Sequence, residues 1–172
     1  MHLDKYYFIN KFDPDHIKKL DKNISLIYRN YKSSYDSNLL VKIRNFCRKH
    51  RRNLYLANNI KLAIKYNYDG AYIPSFNNDF KHLNYKTKSN FLIIGSAHNI
   101  KEIRIKELQK IQSIFLSSLF KKNNNFLDLN KFKIFSNYTK KNIIALGGIS
   151  KKNIKKLNLL NIIGFAGISY FK

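Results

Sequence analysis

Two glycine-containing turns near the end of the chain carry the residue types best suited to chemistry. An apolar run at 143–146 ends in Gly147 and Gly148, and Ser150 follows as an N-cap for the periodic segment 151–160. Strand, glycine turn and helix start together form a local recipe for holding a phosphate. Glycines let the backbone approach an anion, and unpaired amides at the positive end of a helix dipole point at it. The segment 162–169 repeats the pattern, an apolar run followed by Gly167, Ile168 and Ser169. Two successive strands that end this way match the phosphate cup after strands 7 and 8 of a (β/α)8 barrel.

A cup of that kind needs a scaffold, and the periodicity supplies one. Short β-like runs stand at 6–10, 25–29, 54–58, 70–74, 91–96, 113–117, 143–147 and 162–169, with no Pro/Gly/Ser-rich linker between them. The intervening segments 36–50, 99–111 and 150–160 place apolar residues at helical spacing. Strict strand–helix alternation predicts a parallel sheet, and eight units fit a closed barrel better than a doubly wound sheet. The expected fold is a single α/β domain over residues 1–172, a shortened (β/α)8 barrel without its last helix. Apolar surface near strands 1, 7 and 8 would then be left bare or covered by a second copy in a homodimer.

Composition narrows the function further. At 172 residues with 44% hydrophobic side chains, the chain can build one sizeable core. Its single cysteine, Cys47, excludes a disulfide framework and a cysteine zinc site, and its helical spacing makes it a small core residue. The expected compartment is a reducing cytoplasm; no run has the length of a membrane span and the N-terminus lacks a signal-peptide plan. The net charge of +23, from 33 Lys and Arg against 10 Asp and Glu, invites a nucleic-acid reading. The lysines are spread along the whole chain, however, which is rich in Asn, Ile, Phe and Tyr as well. That joint bias reads as codon drift in an AT-rich genome rather than as a nucleic-acid-binding patch.

The segments 54–75, 93–103, 143–157 and 162–169 together resemble the thiamine phosphate synthase/TenI family, most specifically in the last thirty residues. Members of that family are single-domain (β/α)8 barrels. Its synthases join hydroxymethylpyrimidine diphosphate to a thiazole phosphate and release diphosphate with the help of Mg²⁺, and its TenI branch tautomerises the thiazole phosphate. The resemblance implies that Gly147, Gly148, Gly167, Ile168 and Ser169 bind the phosphorylated small molecule. Ser96 and His98 match the family's Ser-x-His after strand 5, and Arg29 matches the arginine of a Gln-x-Arg-x-Lys motif that meets the pyrimidine diphosphate. These three are the expected catalytic residues. Taken by themselves, His98 could cap the following helix and Arg29 could be a structural ion-pair partner.

Other family positions are altered here. The Gln and Lys of the strand-2 motif read Ile27 and Tyr31, and the two metal-binding aspartates read Asn58 and Asn77. The TenI acid/base histidine reads Ser118. Magnesium prefers carboxylates, and each lost charge forfeits on the order of several kcal/mol at ~4 Å and an effective dielectric near 20 before desolvation. The expectation is that Mg²⁺ binds decades more weakly, with synthase turnover weak or lost. Asp79 is a spare carboxylate near the top face, Asp36 a helix cap, and Lys121 with Lys122 a cationic substitute on a loop expected to be mobile. The alternatives are a non-catalytic sensor or partner protein that kept the cup and, behind it, a basic nucleic-acid binder.

Overall fold

The computed structural model describes residues 3–31 and 34–171. Eight parallel strands follow one another around a closed barrel. They are β1 (Asp4–Ile9), β2 (Ile24–Tyr28), β3 (Leu54–Ala57), β4 (Gly70–Ile73), β5 (Leu92–Ala97), β6 (Ser113–Ser117), β7 (Asn142–Leu146) and β8 (Gly164–Gly167). The ring closes where Asp4 pairs with Gly164 and Tyr7 with Gly167. Among the described residues, five α-helices lie between them: α1 (Pro14–Lys19), α2 (Ser37–Lys49), α3 (Ile60–Lys65), α4 (Ile100–Leu108) and α5 (Asp128–Ser136).

Alternation along each strand sorts the core into two layers. Inside the barrel, Tyr6, Phe8, Tyr55, Tyr72 and Phe115 pack beside the small Ala57 and Ala166. Phe8, Tyr72 and Phe115 meet edge to face, with centroids 5.1 to 5.9 Å apart. Each such ring contributes roughly 2–3 kcal/mol by leaving water. Outward-facing Leu26, Leu56, Ile73 and Ile114 pack with helix residues such as Leu40, Ile43 and Ile103. Cys47 sits in this outer core, 1% exposed, and burial pushes its thiol up to about 12. Asp36 caps α2 by accepting the Asn38 amide at 2.9 Å.

The chain stays short because two crossovers carry only 3-10 segments, Lys81–Asn84 after β4 and Ile154–Leu159 after β7. The second of these corrects the expected helix start at Ser150. The Asn153 side chain folds back there, accepting the Ser150 amide at 2.9 Å and donating to the Gly148 carbonyl at 2.9 Å. Residues 150–153 are held in a turn, and the segment begins at Ile154 with Asn153 as its cap residue. The apolar surface expected beside β1, β7 and β8 is partly covered. Phe171 stacks on Phe165 and meets Tyr7 at 5.4 Å, while Tyr170 meets Phe165 edge-on at 5.0 Å. Phe165 is 2% and Phe171 8% exposed, whereas Leu159 and Ile168 stay exposed. Among the described residues, no helix is long and apolar enough to cross a membrane.

Candidate functional site

The expected phosphate-binding and catalytic residues lie at or just beyond the C-terminal ends of strands, the end where (β/α)8 barrels build their sites. At the ends of β7 and β8, a cavity of about 380 Å³ is lined by Gly147, Gly148, Ile149, Gly167, Ile168, Ser169 and Lys121. Among the described residues, none offers an acceptor to the amides of Gly148, Ile149, Ile168 or Ser169. Gly147 and Gly148 have φ of 104° and 73°, a left-handed backbone that suits glycine. A Cβ on Gly148 would lie 2.5 Å from the Lys121 amide nitrogen, and one on Gly147 would lie closer still to the Ser118 hydroxyl. The glycines therefore make room for the loop after β6.

That loop is fastened, contrary to the expectation of mobility. The Leu119 amide donates to the Leu146 carbonyl at 2.9 Å and the Phe120 amide to Gly147 at 2.8 Å. The Ser118 hydroxyl donates to the Lys121 carbonyl at 3.0 Å. These bonds extend the strand pairing past β6 and bring Lys121, but not Lys122, to the cavity lining. Four amides with no protein acceptor and a lysine at the lining are groups of the kind that meet a dianion.

Across the barrel mouth, the Arg29 guanidinium lies 5.3 Å from the Phe8 ring and 5.9 Å from that of Tyr31, and its Nε donates to Asn10 Oδ1 at 3.1 Å. No carboxylate lies within ion-pair distance of it among the described residues, so it is not a structural ion-pair partner. It opens on a cavity of about 450 Å³ shared with Asn10, Lys11, Asn30 and Tyr31. Tyr31, at the position of the motif lysine, packs edge-on against Phe76 at 5.5 Å. Both rings are exposed, and they give this side of the mouth an apolar rim.

Ser96 and His98 differ in what they present. Ser96 is 4% exposed, and its hydroxyl accepts that of Tyr72 at 2.8 Å, inside the barrel and below the mouth. His98 does not cap α4; Asn99 does, accepting the Glu102 amide at 2.9 Å. Glu102 reaches back past the cap, with one oxygen taking both the His98 amide at 2.7 Å and His98 Nδ1 at 3.0 Å. A carboxylate only accepts, which assigns a hydrogen to Nδ1.

The two altered metal positions come together. Asn77 Nδ2 donates to Asn58 Oδ1 at 2.6 Å, and Asn77 Oδ1 accepts the Asp79 amide at 2.8 Å. Both amide oxygens are thus engaged. The Asp79 carboxylate turns to the Lys81 amide at 2.7 Å and lies 3.4 Å from its ammonium, contacts that hold its carboxyl below the usual carboxylate range. Among the described residues, no three His, Cys, Asp or Glu side chains group as metal ligands. This donor set does not fit magnesium, which asks for carboxylates and free oxygens.

Sequence reasoning passed over Asn10, Glu102, Lys106, Gln109 and Asn153. Only Glu102 left a local signal, the Asn-x-x-Glu of a capping box directly after a strand. Asn153 acts on Ser150 and Gly148, three and five residues away, and Asn10, Lys106 and Gln109 act on residues distant in sequence.

Comparison with known proteins places the chain in a family and agrees with the fold. A family model described as thiamine monophosphate synthase matches residues 21–171. Over 83 residues the chain is 34% identical to the thiamine-phosphate synthase of Methanococcus vannielii, a stretch covering 45% of this chain and 40% of that protein. Among solved structures, a thiamine phosphate pyrophosphorylase from Pyrococcus furiosus superposes with a TM-score of 0.76 at 17% identity, covering 97% of this chain and 86% of that one. FabK from Thermotoga maritima superposes equally well, at 0.76 with 11% identity over 98% of this chain and 59% of that one. At such identities the likeness to solved structures establishes the fold alone.

Proposed function

Because the chain belongs to the thiamine monophosphate synthase family, we propose that it binds a phosphorylated thiazole-type ligand across the turns at Gly147, Gly148 and Gly167–Ser169. The observation that carries this reading is the set of unpaired amides at Gly148, Ile149, Ile168 and Ser169 around a cavity that also holds Lys121. Arg29, with its apolar rim of Tyr31 and Phe76, would meet the pyrimidine half of the second substrate. His98 would supply the protonatable nitrogen between them, its tautomer set by Glu102.

In this reading the transfer of the pyrimidine group to thiazole phosphate is slow or absent. A departing diphosphate needs positioned positive charge, and such charge is usually what lowers the barrier most. The engaged amides of Asn58 and Asn77 offer none. The same pair favours a non-catalytic phosphate-ligand sensor as the second reading. Calorimetry with thiazole phosphate and with inorganic phosphate, beside a synthase assay with and without Mg²⁺, tests both. Saturable binding with turnover far below ~1 per second is expected. Absence of phosphate-ligand binding would overturn the reading, and turnover at or above that rate would overturn the loss of chemistry.

A further inference from the structure

Beneath the Asn58–Asn77 pair lies a group that the functional reading does not use. Lys106 of α4 is 0% exposed, and no carboxylate lies within ion-pair distance of it among the described residues. A lysine is rarely buried in this way, because its ammonium must recover lost hydration from well-placed acceptors. Here Nζ donates to the Asn77 carbonyl at 2.8 Å and to Gln109 Oε1 at 2.7 Å. Gln109, also fully buried, adds donations from Nε2 to the Asn77 carbonyl at 3.0 Å and to the Asp79 carbonyl at 2.9 Å. His82 Nε2 closes the network on the Gln109 carbonyl at 2.9 Å. The loop 77–82 is therefore tied to the last turn of α4 at three residues. Gly95 on β5 opens the path, since a Cβ there would meet the Lys106 stem at 3.1 Å and the Ile73 carbonyl at 2.9 Å.

From this geometry we propose that the ends of β3 and β4 are joined without a divalent ion, by the Asn58–Asn77 hydrogen bond with the ammonium of Lys106 behind it. Lys106 is then a positioning residue. It fixes the loop that presents Asn77, and it places a positive charge behind the point where a shared cation would sit. An ion bridging two aspartates gives two loops a common anchor and a local positive charge. In this chain the amide pair supplies the first and Lys106 the second. The proposal takes from the family reading only the identity of positions 58 and 77.

The test uses the full chain without ligand, and Mn²⁺ as the probe, followed by the loss of its free-ion paramagnetic resonance signal. Wild type should show no saturable Mn²⁺ binding, and hydrogen exchange in 75–82 should be the same in EDTA as in Mg²⁺. Asn58→Gly keeps the left-handed backbone at this position (φ 58°) and removes the acceptor, so exchange in 75–79 should rise several-fold. Lys106→Gln should raise exchange across 75–82, and Lys106→Arg should restore most of the protection. The double variant Asn58→Asp with Asn77→Asp should bind Mn²⁺, and adding Lys106→Gln should tighten it by about tenfold or more, because a nearby cation is removed. A purely structural lysine would loosen the loop without that gain. Saturable Mn²⁺ binding by wild type that is lost in Asn58→Gly would overturn the proposal. So would unchanged loop exchange in Asn58→Gly, which remains decisive if Lys106→Gln does not fold. Failure of thiazole phosphate to bind would leave all these readouts unmoved, so the two readings fail separately.

Discussion

The two sides of the barrel mouth treat their polar groups in opposite ways. At the ends of β7 and β8 the backbone holds amides with no acceptor, beside one lysine whose loop is pinned. At the ends of β3 and β4 the amide oxygens of Asn58 and Asn77 and the carbonyls of Asn77 and Asp79 are all engaged by the protein itself. Amides without a protein acceptor at a concave surface are open to an anion, which replaces the water they would otherwise hold. A closed set of hydrogen bonds has no such opening. In the proposed reading one side of this barrel binds, and the other holds its shape.

The contrast breaks most visibly at Gly148. Gly148→Val should weaken phosphate-ligand binding by about a hundredfold or more, through strain at a left-handed position and a clash with the Lys121 backbone. The side chain would not fill the anion's place but would push away the loop that carries the lysine. Gly167→Val should cost less, about tenfold, because its backbone is not left-handed and its nearest neighbour is the Tyr170 side chain at 3.0 Å. Calorimetry on variants with wild-type circular dichroism checks both, and unchanged affinity in the first would reduce the cup to a pair of turns.

A smaller effect tests the charge in the cup. Lys121→Met should weaken inorganic phosphate binding by roughly tenfold and flatten its salt dependence, as expected when one partly screened ion pair is lost. Lys122→Met, one residue on and not part of the cavity lining, should change neither by more than about twofold. Equal effects from the two lysines would mean that the overall charge of +23, and not a positioned ammonium, attracts the anion.

The two sides also differed in how far they could be read from sequence. The eight strands were legible because each is a short apolar run bounded by turn residues, and β7 and β8 announce their glycines within a few residues. Gly147, Gly148 and Gly167 act locally, through φ and the missing Cβ, so a local reading reaches them. The β3–β4 side depends on Lys106 and Gln109, which stand 29 and 32 residues from Asn77. On α4 these two sit at charged or polar positions that periodicity assigns to solvent. The start expected at Ser150 is kept only as a turn, its amide donating to Asn153 Oδ1 and its carbonyl accepting the Asn153 and Ile154 amides, before the 3-10 segment begins at Ile154. The aromatic cover at Tyr170 and Phe171 was hidden because stacking on Phe165 needs the ring to close first.

The smallest effect asks whether the closed side carries its charge as described. Burial lowers the Lys106 ammonium from the ordinary 10.5 to about 8, partly offset by Glu102 one turn earlier. Between those two values the unfolded chain holds a proton that the native state has released. The unfolded state therefore binds more protons there, and stability rises with pH across the window. Below pH 8 both states are protonated and the penalty for burying the charge is at its full value. The gain is on the order of a few kcal/mol at most. Other lysines and tyrosines titrate in the same range, so the quantity to measure is a difference, the denaturant-derived stability of wild type minus that of Lys106→Met. That difference should move in favour of wild type from pH 8 to 10.5 and level off above it. A flat difference would mean that solvation or the Asn77 and Gln109 acceptors repay burial of the charge in full. A fall would mean that the acceptors more than repay it, the protonated form being the better fit in its site.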